Sequence, residues 1–430
     1  MKLSRPVWAL EALIVGLAAH NLVMSQLWRA GVRGNALTVV AAWKDVLLLA
    51  ALALVVRARR GLAFKATPAD WLALAFGGLV VVYGLLPQSW LGGGATHKGV
   101  LYGARHDLLP VGAYFLGRGL DLTDRERARL RRLVVAVAAA VAAFGLVDAY
   151  AVPLSFWRHS AGWFSDQLGL DYRGLSGLPE NFVYNAGNGV VFRRLTSTFL
   201  SPLATSYLLL VALFLVPLRR RLGVLLAVLI FAGVLWTHTR SALLALVVAL
   251  LVLALARRAW RVAALAVAVA LVGLAFVKGY EHFGPRTHFT KSELRVQQQI
   301  ATERPQASHD PTSAAESSTS EHLASLRDGA RTVVHHPWGF GLGNSGVTAA
   351  RTHVDVRAGE STYTELGVEA GLAGALVFVA WSLALLRATL RRRVLLGAAF
   401  AGVLVLGLQT DVIGVPWVAV AVWSLAGAEV

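Results

Sequence analysis

The chain has 430 residues, of which 56% are hydrophobic and only 15% charged, with a mean hydropathy of +0.60. A soluble domain carries about a quarter charged residues and has no core large enough to hide this apolar content, so soluble classes are excluded. The formal net charge of +17 does not indicate nucleic acid, because the arginines fall in short clusters between apolar blocks, and the absence of cysteine excludes disulfides and thiolate metal sites.

The apolar blocks are about twenty residues long, enough to cross a hydrocarbon layer, and each is apolar on all sides. In chain order they predict transmembrane helices at Val7–Met24, Ala36–Val56, Ala69–Leu86, Val100–Leu116, Leu133–Val152 and Phe199–Leu218. Six more follow at Leu222–Trp236, Ala242–Ala256, Val262–Val277, Thr364–Leu386, Val394–Gln409 and Val412–Ala426. The first follows Lys2 and Arg5 with no small-residue cleavage site, and reads as a retained helix. The fourth carries Arg105, His106 and Asp107 in its first predicted turns, with Pro110 behind them. Of the charges inside these segments, Glu11 and Asp148 read as structural; Lys44 and Asp45, adjacent and therefore pointing different ways, are equally compatible with helix pairing and with function.

Basic clusters occupy alternate connections: Lys2 and Arg5; Arg57, Arg59, Arg60 and Lys65; Arg118 to Arg132; Arg219 to Arg221; Arg257, Arg258 and Arg261; and Arg387 with Arg391 to Arg393. The positive-inside rule places them all in the cytoplasm, together with both termini, without adding or dropping a helix. The remaining connections then face outward, and two are long: about residues 153–198 and 278–363. The predicted organisation is nine helices with the first outer loop over 1–277, the large outer loop over 278–363, and three helices over 364–430. Within the large loop, Lys291 to Ser320 is rich in Gln, Ser, Thr and Glu and reads as mobile. Ser318 and Glu321 then have capping-box spacing, and Leu323, Leu326, Ala330 and Val333 give Ser320 to His335 an apolar helical face.

Polar residues gather at the outer helix ends. Arg193 and Arg194 precede the sixth helix, Thr237-His238-Thr239-Arg240 forms a very short outer turn, Arg105 lies at the outer end of the fourth helix, and Glu360 just before the tenth. A guanidinium offers bidentate hydrogen bonds that suit diphosphate. Any one of these arginines alone reads as a helix anchor or a contact to lipid phosphate; the set reads as a site for a shared anion. His335 to Asn344 (HHPWGFGLGN) is a Gly-rich turn with neither the preceding strand nor the following helix of a dinucleotide fingerprint. Its two adjacent histidines lack further ligands at suitable spacing, and no Asp-x-Asp pair is present, so a metal-free site with no cofactor is expected.

Three segments carry a family resemblance. Arg194 to Phe199 (RLTSTF) with Ser201 to Ala204 is similar to an Arg-rich entry to a central helix, Thr239-Arg240-Ser241-Ala242 to a Ser/Thr-Arg-Ser turn, and His336-Pro337 with Gly339, Gly341, Gly343 and Tyr363 to Gly374 to a large-loop Pro-Gly-Gly segment and the helix after it. Over roughly residues 190–380 the chain thus resembles the O-antigen polymerase and O-antigen ligase superfamily of bacterial envelope glycosyltransferases. The resemblance implies an all-α polytopic, GT-C-like protein of the bacterial cytoplasmic membrane, with about a dozen transmembrane helices and a site facing the periplasm or exterior. Its implied partners are a polyprenyl (undecaprenyl) diphosphate-linked glycan donor, a glycan or lipid acceptor and membrane lipids, with no nucleic acid. Glu360-Ser361 stands where the ligases carry a His-Asn pair, so the ligase histidine does not transfer, and polymerase is favoured over ligase. On this reading Arg194 and Arg240, with Arg193 and Arg105, neutralise the leaving diphosphate, and Glu360 takes the acceptor proton. His238 and His336 are alternative bases, and Tyr363 is a further site candidate. A secondary transporter is the rival, but no inverted repeat or pair of Gly/Pro-broken helices supports it.

Overall fold

The computed structural model describes residues 6–58, 65–186, 190–303, 310–311, 313 and 317–430. The predicted cytoplasmic signals Lys2, Arg5, Arg59 and Arg60, and residues 304–309, 312 and 314–316 of the polar stretch, lie outside them. Helix occupies the bulk of every predicted apolar segment. α1 (Val7–Arg29) is followed by α2 (Gly34–Ala41) and α3 (Trp43–Ala58), which share one predicted segment interrupted at Ala42. α4 (Pro68–Leu85) begins on a capping box, with Thr67 and Asp70 satisfying each other's backbone N–H groups. α5 (His97–Leu120) starts three residues before its predicted segment, so Arg105, His106 and Asp107 fall in its third turn. α6 (Asp124–Ala151) follows, then two short helices, α7 (Leu154–Arg158) and α8 (Gly162–Leu168).

The strands β1 (Val183–Asn185) and β2 (Val191–Arg193) form an antiparallel pair in register Tyr184 to Phe192. α9 (Pro202–Leu215), α10 (Arg221–Trp236), α11 (Arg240–Arg257) and α12 (Trp260–Phe283) then run back and forth, and β3 (Arg286–Thr287) adds to β2. α13 (Lys291–Glu303), α14 (Ser317–His335) and α15 (Gly346–Arg351) make up the large loop, and α16 (Thr362–Arg392), α17 (Val394–Leu406) and α18 (Pro416–Gly427) complete the bundle. Among the described residues, seven spans are long and apolar enough to cross a membrane: α1, the combined α2–α3, α4, α6, α11, α12 and α16; α9, α10, α17 and α18 are shorter apolar helices. The chain is an integral membrane protein.

Small residues set the closest helix approaches. On α5, a Cβ at Gly117 would fall 1.8 Å from the Ser424 carbonyl oxygen, so α18 touches α5 backbone to backbone. Around that seam Phe76, Tyr114, Phe378, Trp381, Phe400 and Trp423 pack ring against ring. α9 is short, about 21 Å at 1.5 Å per residue. The irregular approach to it is nonetheless buried, and its polar groups are met from within: Leu195 N donates to Trp236 O at 2.9 Å and Thr205 Oγ1 to Thr196 O at 2.7 Å.

The large loop is rooted in the bundle. Gly339 has φ +75° and Gly371, inside α16, has φ +71°. A Cβ on Gly339 would lie 2.6 Å from Gly371 N, so the loop turn presses into the kink of α16 where no side chain fits. α14 lies along α16, with Val333 against Gly367 and Gly329 against Thr364.

One expectation is overturned here. Lys291–Glu303, read as mobile, is helical, because Thr290 and Glu293 form a capping box: Glu293 Oε2 accepts from Thr290 N at 2.7 Å and Thr290 Oγ1 from Glu293 N at 3.2 Å. The same carboxylate takes a bidentate pair from Arg158 (2.8 and 2.6 Å) and the Ser176 hydroxyl at 2.7 Å, joining α13 to the segment between α6 and β1. Burial pushes the Glu293 carboxyl up, but the hydrogen bonds from Arg158, Thr290 and Ser176 outweigh it and hold it below the usual value. Replacing Glu293 by alanine is expected to fray α13, the cap alone costing about 1 kcal/mol. Amide hydrogen exchange over 291–303 is the readout, and protection equal to wild type would contradict the cap's role.

Candidate active site

The residues singled out in the sequence separate into distinct settings at the end of the bundle that carries the long loops. Arg194 follows β2 and closes on the turn between α10 and α11: its Nε donates to Thr237 O at 2.9 Å, and its Nη2 to His238 O at 3.3 Å and Thr239 Oγ1 at 3.2 Å. Two of these acceptors are carbonyls just past the end of α10 and the third is a hydroxyl, so the guanidinium fixes the turn from which Arg240 starts α11. Arg240 donates to Pro311 O of the large loop at 2.6 Å. Both arginines act electrostatically on the His238 ring, and Arg240 acts on His322 of α14 as well.

His322 is the link to Glu360. Its Nδ1 lies 2.6 Å from Glu360 Oε2, with the two side chains 42% and 46% exposed. Glu360 is thus about half-exposed. It has φ +69°, a left-handed conformation that a non-glycine residue keeps only where its surroundings enforce it. The hydrogen bond that His322 donates to Glu360 raises the His322 pKa, opposed by burial. A raised histidine pKa means the pair stabilises docked α14 fully below about pH 6.5, the unperturbed value, and that this stabilisation is lost as pH rises through the raised value. The protection of α14 amides, relative to their intrinsic base-catalysed exchange, should accordingly fall as pH rises past the raised His322 value. His322→Ala should remove that pH dependence; an unchanged profile in the variant would refute the pairing.

Other candidates fall elsewhere. Arg193 is 2% exposed and points inward, its Nη2 3.1 Å from Asp148 Oδ2 and its Nη1 3.3 Å from Val152 O, so it clamps α6 and is not turned to a ligand. Trp157 Nε1 completes that site on Asp148 Oδ1 at 2.7 Å. Arg105 pairs with Asp45 of α3 at 2.9 Å, among a different set of neighbours from Arg194 and Arg240. His238 is buried between Tyr184 and Tyr280, and burial, then the Arg194 charge, lower its pKa to about 3, which makes it a poor proton acceptor. His336 stacks on Phe340 and faces Leu91 O at 3.0 Å, and Tyr363 donates to Leu404 O at 2.8 Å inside the bundle.

The structure also assembles a polar network that the sequence reading did not assign. His106 on α5 bridges two carboxylates, Nδ1 to Asp107 Oδ1 and Nε2 to Asp411 Oδ2, each at 2.7 Å. Asp411 also accepts from Gly414 N at 3.1 Å and Thr362 Oγ1 at 3.4 Å. Glu369 accepts from Gly343 N at 3.0 Å and Ser345 Oγ at 2.9 Å. Asp107 Oδ2 and Glu369 Oε2 are both buried with no hydrogen-bond partner among the described residues. The signal for this network was present: Glu365 and Glu369, four apart on an otherwise apolar helix, and an adjacent His-Asp pair inside another.

Residues 225–379, from α10 into α16, match the family model described as O-Antigen ligase. The chain carries a domain of the O-antigen polymerase and ligase superfamily. The matched stretch includes Arg240, His322, Glu360, Glu365 and Glu369, and its function is of the O-antigen ligase or polymerase type. Superfamily members act on polyprenyl-linked glycans and an acceptor. No curated protein and no solved structure matches the chain.

Proposed function

We propose that this protein is an inverting, metal-independent glycosyltransferase that polymerises polyprenyl-diphosphate-linked glycan repeats on the outer face of the bacterial cytoplasmic membrane, with twelve GT-C-like spans and both termini inside. The observation that carries the reading is the chain of neighbours from Arg194 through His238 to Arg240, and on through His322 to Glu360, at the end of the bundle bearing the long loops. The reaction breaks the bond between the anomeric carbon and the diphosphate oxygen and forms one to the acceptor hydroxyl oxygen. Charge develops on the departing diphosphate, and Arg240, with Arg194 exchanging carbonyls for phosphate oxygens, meets it with bidentate donors. Glu360 takes the hydroxyl proton, and His322 holds its carboxylate in place. Preformed, membrane-anchored donors leave a nucleotide site unnecessary.

The test is product formation from a defined lipid-linked oligosaccharide by the purified protein. A ladder of lengthening lipid-linked products identifies a polymerase; transfer of one intact glycan to lipid A core or another lipid identifies the ligase alternative. Glu360→Gln, which keeps the side chain's shape and removes its basicity, is expected to slow transfer by about 10²–10⁴-fold. Turnover near wild type in a folded Glu360→Gln protein would remove Glu360 from the mechanism.

A further inference from the structure

Three cations act electrostatically on one another around the interruption between α2 and α3. Lys44, 8% exposed in the first turn of α3, donates to Ala41 O at 2.7 Å, capping α2, and its Nζ lies 3.0 Å from His20 Nε2 of α1. A lysine ammonium has three N–H groups, and one is left uncommitted among the described residues. Arg105 of α5 and Arg351 of α15 both bear electrostatically on Lys44, and Arg105 bears on Arg351. Asp45, ion-paired to Arg105 at 2.9 Å, is a carboxylate that acts on Lys44.

The balance of charge is the telling point. Arg105 is paired with Asp45, but buried Lys44 and half-buried Arg351 have no carboxylate ion pair among the described residues, which a purely structural network avoids. The Nε of Arg351 is buried with no hydrogen-bond partner among the described residues, although a guanidinium carries five donors. Burial, and then the Arg105 charge, lower the Arg351 pKa, with Tyr172 and Tyr102 offsetting them. The site is open to a ligand on one side, since the Arg105 side chain is 40% exposed.

We propose that this cluster is a second anion-binding site, in which Lys44, Arg105 and Arg351 take the phosphate or diphosphate of the acceptor lipid while the Arg194–Arg240 turn takes that of the donor. This assignment rests on the proposed transfer between lipid-linked glycans. Two anionic lipids approaching one reaction centre repel each other, and separate cationic cradles on α3–α5 and α10–α11 hold them apart from the first encounter. Uncompensated charge in the empty site is then neutralised on binding, which couples acceptor occupancy to local order.

The measurement is binding of farnesyl diphosphate to the purified full chain in detergent by titration calorimetry, with farnesol and inorganic diphosphate as comparison arms. Two classes of site are expected for farnesyl diphosphate, with weaker binding of both comparison compounds. Lys44→Gln and Arg351→Gln should each weaken one class at least about tenfold, or about 1.4 kcal/mol, and leave the other class in place. Lys44→Arg, which keeps the charge, should retain both classes. Arg351→Gln should melt no lower than wild type without ligand, because it relieves repulsion. An unchanged isotherm in both glutamine variants overturns the proposal. Equal affinity for inorganic diphosphate overturns the assignment to a lipid. Loss of one class in Lys44→Gln with no change in Arg240→Ala keeps the second site and refutes the donor reading instead.

Discussion

Alanine at Arg240 is expected to lower glycan transfer by about 10²–10³-fold, the cost of removing one preorganised donor from a developing anion. The residue begins α11, so its backbone is fixed by the helix, while its side chain reaches the large loop at Pro311 O, 2.6 Å away. The alanine variant keeps the helix, because alanine has the highest helix propensity. Folded protein with lost turnover is therefore the predicted combination. Arg240→Lys retains the charge without the planar fork and should fall between wild type and alanine. The checks are single-turnover product analysis for the rate and thermal melting for the fold. Transfer within a few-fold of wild type in Arg240→Ala would sink the proposed role.

The largest effect on stability is expected one helix away. Asp148→Ala leaves the 2%-exposed Arg193 guanidinium without its carboxylate and removes the acceptor of the Trp157 indole N–H. Breaking a buried ion pair from one side costs about 3–5 kcal/mol, since the remaining charge stays buried and unpaired. Thermal melting in detergent should show a drop far larger than that of Arg129→Ala, whose pair with Glu11 at 2.7 Å joins a 68%-exposed arginine side chain to α1. Equal melting temperatures for the two variants would contradict the account. The double variant Asp148→Leu with Arg193→Met should recover part of the loss, because an apolar pair of similar volume avoids the orphaned charge.

Arg193 and Arg194 show where sequence reasoning stops. They are neighbours in sequence and were given the same role. Arg193 ends β2, where successive side chains alternate between faces, so one guanidinium turns into the bundle toward α6 and the next toward the α10–α11 turn. Which of the two faced inward depended on pairing with β1 and β3, invisible in the local sequence. The apolar blocks, by contrast, carried the helices directly, because a lipid-facing helix must be apolar on all sides whatever packs beside it. The His106 network lay beyond reach for the same reason as Arg193: its partner Asp411 is 305 residues away in the chain. α13 was missed for a different reason. Its composition is polar, but Thr290 and Glu293 carry the local instruction to start a helix, and Arg158 supplies the anchor.

The glycine contact between Gly339 and Gly371 divides the large loop mechanically. Everything from about residue 337 to 361 is pinned where the turn enters the kink of α16, with Phe340 N bonded to Val368 O at 2.6 Å and Leu372 N to Pro337 O at 2.7 Å. The portion before it, through α13 and α14, is tied at its far end by Glu293 and along its length by the titratable His322–Glu360 contact. The loop is thus a strap fastened at both ends, not a flap hinged at one. On the proposed function, a growing glycan leaves past α14 without lifting the loop, and the residues α14 turns to the bundle are the ones it meets.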